Sequence, residues 1–228
     1  KISHAIADMG IDVITENIYL STIIQKKDGK LILKDRKIIQ NGVMTSTVLT
    51  TTLNSNKTKW WINTIDFNSN VFRLYEIGGK ELISTPVISE IGIPIKNNET
   101  GFNQINYSSE SKTLAINNRY DIGVLLYDFD NKTGKLSNFR KKLYHNFKES
   151  AEGACFSPNG RFLYLTAGRH IFQMDMKATN PSDSVVYMGE VSLPDEFNWP
   201  IGVGHVILGP DCRIYVSPGT TTHFIHVI

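Results

Sequence analysis

A strand–turn–strand pattern recurs four times along the chain at a spacing of 49 to 54 residues, and no other feature restricts the fold as strongly. Phe156-Ser157-Pro158-Asn159-Gly160-Arg161-Phe162-Leu163-Tyr164-Leu165 and Leu208-Gly209-Pro210-Asp211-Cys212-Arg213-Ile214-Tyr215-Val216-Ser217 share one grammar of apolar run, polar turn and apolar run. Weaker copies run from Tyr107 to Ile116 and from Leu53 to Ile62, with Ser55, Ser109, Pro158 and Pro210 as equivalent anchors. A second apolar run starts 13 to 16 residues past each anchor, at Val71-Phe72, Val124-Leu125-Leu126, Ile171-Phe172 and Phe224-Ile225. Gly79-Lys80 and Gly134-Lys135 then read as hairpin turns, and Val185-Val186-Tyr187 as a fourth strand. Four strands in a unit of this length is the architecture of a β-propeller blade. The expectation is an all-β chain with about four four-stranded blades and few helices.

The second strand of each unit supports this. Phe162-Leu163-Tyr164-Leu165 is apolar at successive positions instead of alternating, so both its faces need cover. Blades stacked face to face supply it. Residues 1–52 fit the repeat less well, although Ile18-Tyr19-Leu20 and Leu31-Ile32-Leu33 flank an Asp28-Gly29 turn. We read 1–52 as part of a preceding blade and 53–228 as about four blades with the last incomplete, all in one propeller domain. Strand sequence at both ends points to an open piece of a ring.

Charge and length exclude several classes. Lys and Arg number 24 against 22 Asp and Glu, and the densest basic run is Arg140-Lys141-Lys142, too little for a phosphate backbone. Nucleic acid is not an expected partner. No apolar run reaches the roughly 18 residues that span a bilayer as a helix. Cys155 and Cys212 fit no zinc spacing and no disulfide framework. Their positions, one in a first strand and one in the turn of the next unit, predict that they are not joined. Asn-x-Ser/Thr triplets start at Asn56, Asn98, Asn106 and Asn131, and turn chemistry is the preferred reason for them.

Motifs that carry chemistry are sparse. His223 and His226 are three apart on an expected strand and would face opposite ways. Asp128-Phe129-Asp130-Asn131-Lys132-Thr133-Gly134 lacks the spacing of a calcium loop and reads as a turn. Gly202-Val203-Gly204 opens no helix, and Ser109-Glu110-Ser111-Lys112 sits in a hairpin where its lysine cannot flank its serine. Cys155 reads as a small core residue. Neither metal nor cofactor is expected. A binding site should gather on the loops leading into each blade and joining its second and third strands, with Glu152, Arg169, His170, Trp199, His205 and His223 as candidates. Trp199 could stack on a sugar or a peptide.

Taken in order, Trp60-Trp61-Ile62, Asp66-Phe67-Asn68-Ser69-Asn70, Leu126-Tyr127-Asp128-Phe129-Asp130, Phe156 to Gly160, Ile171-Phe172-Gln173-Met174-Asp175 and Leu208-Gly209-Pro210-Asp211 carry a family likeness. Over residues 50–228 the chain resembles the WD-repeat-like propellers in surface and secreted proteins of gliding Gram-negative bacteria that bear type IX secretion or gliding-motility-associated C-terminal domains. It departs from them before the paired tryptophans, where Asn54-Ser55-Asn56-Lys57-Thr58-Lys59 replaces a His-Ala-Asn-Gly-like stretch. The resemblance implies a secreted or cell-surface, non-enzymatic propeller in a larger ring of about seven blades. Adhesion, scaffolding or binding of a protein or glycan ligand would be its role, with further domains in the same polypeptide. Because Phe156 to Tyr164 would also suit a lactonase-like propeller hydrolase, that is the alternative, and fold alone does not choose between them.

Overall fold

The computed structural model describes residues 17–43, 49–78, 81–82, 85–95, 104–118, 123–142, 151–179, 184–191, 202–218 and 225–228. Its strands fall into two compact units, Lys1–Gly101 and Phe102–Ile228. In the first unit, β1 (Ile18–Gln25) and β2 (Leu31–Gln40) form a hairpin closed by a turn in which Gly29 adopts φ 83°. A second sheet follows in chain order with β3 (Thr50–Leu53), β4 (Lys59–Ile65) and β5 (Ser69–Gly78). Both β6 (Glu81–Leu82) and β7 (Val87–Ile95) pair with β5.

The second unit holds three antiparallel meanders. These are β8 (Gln104–Ser108), β9 (Thr113–Asn118), β10 (Gly123–Asp130) and β11 (Lys135–Lys142); then β12 (Ala151–Phe156), β13 (Phe162–Ala167), β14 (His170–Asp175) and β15 (Val185–Glu190). The third comprises β16 (Val203–Leu208), β17 (Ile214–Pro218) and β18 (His226–Val227). The described residues contain no α-helix. Every anchor lies in the turn between the first and second strands of its sheet, as the repeat predicts. Asp128 to Asp130 end β10, and the following turn leads into β11, as expected of a hairpin. Of the four expected third strands, Phe224 alone lies outside the described residues.

Local side chains explain the anchor turns. The Asn54 carboxamide oxygen accepts from the backbone N–H groups of Thr58 (3.0 Å) and Lys59 (3.2 Å). Ser157 Oγ accepts from Phe162 N (2.9 Å), and Asn159 Oδ1 from Arg161 N (3.1 Å). These short polar side chains stand in for backbone partners that a tight turn cannot provide. Each turn also contains one residue with left-handed φ, namely Lys57, Lys112, Gly160 and Cys212. Only one of the four is glycine. At Gly160 an added Cβ would lie 2.6 Å from Ser108 Oγ and 2.9 Å from Ser111 N, so glycine is required where two anchor turns touch.

Packing between sheets accounts for the continuous apolar second strands. Across β12, β13 and β14 the rows Ala154–Leu165–Phe172 and Phe156–Leu163–Met174 share one face. They pack against Ala115, Val124 and Leu126 of the preceding sheet. On the opposite face Cys155 and Tyr164 meet Val203, Val206, Ile214 and Val216 of the following one. A sheet covered on both faces in this way buries both sides of its inner strands β12 and β13.

Cys155 is buried and Cys212 exposed, and both are free thiols. Burial pushes the Cys155 thiol up to about 11, leaving it protonated and shielded. Native protein treated with a disulfide reagent such as DTNB should therefore release one equivalent quickly and a second only on unfolding. Two fast equivalents would contradict this placement.

Candidate functional site

In the second unit the first strands β8, β12 and β16 lie side by side. Two of them are interrupted at the same level. Ala151 pairs with Ala167 and Ala154 with Leu165, so Glu152 and Gly153 together oppose Thr166. Val203 pairs with Pro218 and Val206 with Val216, so Gly204 and His205 oppose Ser217. Each is a two-against-one irregularity of the bulge type, which frees backbone groups from the ladder and re-aims side chains. Glu152 is half-buried and His205 exposed.

The freed backbone groups are satisfied by polar side chains at one repeat position. Asn117, Thr166 and Ser217 each stand four residues past the residue that closes the anchor turn, at Thr113, Phe162 and Arg213. Gly153 N donates to Thr166 Oγ1 (2.7 Å), and Thr166 Oγ1 donates to Gly204 O (3.3 Å). Asn117 Nδ2 donates to Gly153 O (2.7 Å) and Thr166 O (3.1 Å). Ser217 Oγ donates to His205 O (3.2 Å). Buried polar groups persist when partnered in this way, so the relay supports the bulges of neighbouring sheets.

Gln104, on β8, adds a third layer. Its Oε1 accepts from Ala154 N (3.2 Å) and Val206 N (2.9 Å), and its Nε2 donates to Val206 O (2.7 Å). Ala154 and Val206 are the residues at which regular pairing resumes after each bulge. One side chain thus behaves like a short stretch of strand backbone toward two neighbouring strands.

Of the six residues singled out in the sequence, the structure places Glu152 and His205 at this level of the first strands. Arg169, in the turn between β13 and β14, donates through Nε and Nη2 to Val191 O (3.3 and 3.1 Å) and pairs with Glu190 at 3.2 Å. That geometry ties its own sheet together. His170 opens β14, where Nδ1 lies 3.2 Å from the Tyr187 hydroxyl and the ring packs on Tyr187 and Phe172. Trp199 and His223 lie outside the described residues. Among the described residues no three His, Cys, Asp or Glu side chains come together as a metal site would need. Gln104, Asn117 and Thr166 escaped the sequence reading because amides and hydroxyls in a strand look unremarkable one at a time. For Asn117 and Thr166, their common repeat position was the available signal.

No protein-family model matches the sequence, and no curated protein does. Solved structures do. A candidate 6-phosphogluconolactonase from Bacteroides uniformis superposes on 92% of this chain with TM-score 0.53 and 16% identity, using 61% of its own length. The periplasmic gluconolactonase PpgL of Pseudomonas aeruginosa matches 90% of this chain and 61% of its own, with TM-score 0.55 and 13% identity. The Cps50 (Swd1) β-propeller domain of Myceliophteria thermophila matches 91% and 62%, again with TM-score 0.55 and 13% identity. The chain therefore spans about three fifths of each of these structures. None of the three bears on type IX secretion or gliding motility. At such identities the likeness is one of fold, and the fold is that of a β-propeller.

Proposed function

We propose that the protein is a lactonase-like propeller hydrolase that binds a small cyclic ester where Glu152 and His205 leave the first strands. The carrying observation is the pair of bulges at one level, which takes an acid and an imidazole out of the ladder on adjacent strands. The two gluconolactonase-type neighbours favour a lactone over a macromolecular ligand as substrate. Hydrolysis needs a group to take a proton from water as its oxygen attacks the ester carbonyl. It also needs a proton for the departing ring oxygen. Glu152 and His205 are the acid–base pair of this proposal.

Gluconolactone hydrolysis followed in a pH-stat tests it. The chain should exceed the spontaneous rate, and Glu152→Gln and His205→Ala should each lower kcat by about 10² to 10⁴-fold with unchanged circular dichroism. A folded chain that adds nothing to the spontaneous rate would end the reading. A non-enzymatic adhesion or scaffold role is the second reading, favoured by Val186, Tyr187 and Met188 on the outer strand β15, exposed by 54%, 51% and 47%. Export to the periplasm or cell surface suits both readings, and one neighbour is periplasmic. The larger ring and the gliding-bacterial setting belong to the second.

A further inference from the structure

We propose that Gln104 is a positioning residue for the Glu152/His205 site, an inference that rests on the reading of that site given above. On the first strand of a meander, every other N–H points away from the ladder and needs a partner from outside the sheet. Ser157 N bonds Phe162 O and Gly209 N bonds Arg213 O, so by alternation Ala154 and Val206 present such outward N–H groups just past the bulges. In β12 and β16 the residues beside the bulges are Ala154 and Val206, and both N–H groups donate to one acceptor, Gln104 Oε1. Val206 also receives Gln104 Nε2 on its carbonyl, so this residue is clamped on both backbone groups. The strands so held come from sheets whose residues lie 50 and 102 positions further along the chain.

Apolar packing alone does not set this level. The side chains that fill the space between β12 and β16 are Cys155, Val203 and Val206, smooth apolar groups that tolerate a small slide. A carboxamide making three directed bonds does not. Since Glu152 stands two residues before Ala154 and His205 one residue before Val206, fixing those two backbones fixes the height at which the acid and the imidazole project. Gln104 touches neither group in this account. It acts through the strands that carry them.

The test compares Gln104→Met with Asn106→Ala. Asn106 makes the same kind of bond between sheets, from Phe156 N to its Oδ1 at 3.4 Å, but two residues away from the bulge. Two readouts are taken on the full chain: the kcat and KM for gluconolactone, and the His205 ring resonances, assigned by their loss in His205→Ala. Gln104→Met should lower kcat by about 10²-fold, as a displacement near 1 Å can, and should split the His205 resonance into more than one environment. Asn106→Ala should melt earlier than wild type yet keep the kcat and the single His205 resonance. If Gln104→Met lowers the melting temperature and leaves the resonance and kcat untouched, Gln104 is a cross-link only and the proposal is overturned. If that variant does not fold, Gln104→Glu decides. It keeps the acceptor for Ala154 N and Val206 N and loses the donor to Val206 O, so a smaller loss with the same splitting is expected. Wild-type behaviour in both readouts would overturn the proposal. Should the wild-type chain hydrolyse no lactone, the hydrolase reading fails, and the His205 resonance still decides the role of Gln104.

Discussion

Gly153→Val is expected to lower the melting temperature by roughly 6 to 12 °C, the equivalent of about 3 kcal/mol for a chain of this size. A Cβ built on Gly153 would meet Val206 Cγ2 at 2.4 Å, Gly204 O at 2.7 Å and Thr166 Oγ1 at 2.8 Å. Two of these contacts have no easy exit. Gly204 O belongs to the backbone of a neighbouring strand, and Thr166 Oγ1 is held between Gly153 N and Gly204 O. Relieving the clash requires β12 and β16 to separate, which breaks the polar relay and exposes Val203 and Val206 together. Close-packed interiors transmit such strain instead of absorbing it. Thermal melts by near-ultraviolet circular dichroism measure the effect. A melting point unchanged from wild type would show that the two strands do not approach this closely.

Leu165→Ala should cost about 2 to 5 kcal/mol, a large share of the 5 to 15 kcal/mol typical of a folded domain. Leu165 is fully buried between Ala154 and Phe172 of its own sheet and packs in the cluster formed with Ala115, Val124 and Leu126 of the neighbouring one. Its removal leaves a cavity at a junction of two sheets, where neither can collapse inward without giving up its strand register. Val186→Ala on the same sheet is the control. Its side chain is 54% exposed on β15, and the change should stay within about 0.5 kcal/mol. Urea denaturation with equal slopes for the three proteins is the measurement. Equal midpoints would mean that the face of β13 is not the packed interface it appears in the rows of this sheet.

How far the sequence can be read depends on how far each interaction reaches along the chain. The anchor turns were legible because the groups that close them lie within five residues: Asn54 bonds Thr58 and Lys59, and Ser157 bonds Phe162. The third strands were legible because a blade repeats its apolar runs at a nearly constant offset, and the two-sided burial of β13 followed from its unbroken apolar run. Arg169 and His170 were chosen by residue type, and the sequence did not show the neighbours the fold gives them: Arg169 bonds Val191 and Glu190, and His170 lies beside Tyr187.

Local sequence was sufficient for the all-β class, the positions of the anchor turns and the separation of the two cysteines, since hydrogen bonding in turns and the alternation of side chains act over a few residues. It could not disclose that two residues oppose one at Glu152-Gly153 and again at Gly204-His205, because a bulge depends on the partner strand as much as on its own. Nor could it disclose that the carboxamide of Gln104 spans 50 residues to Ala154 and 102 to Val206. Those bonds exist only once three sheets have packed, when burial removes water as a competing partner and makes an unmet backbone N–H costly.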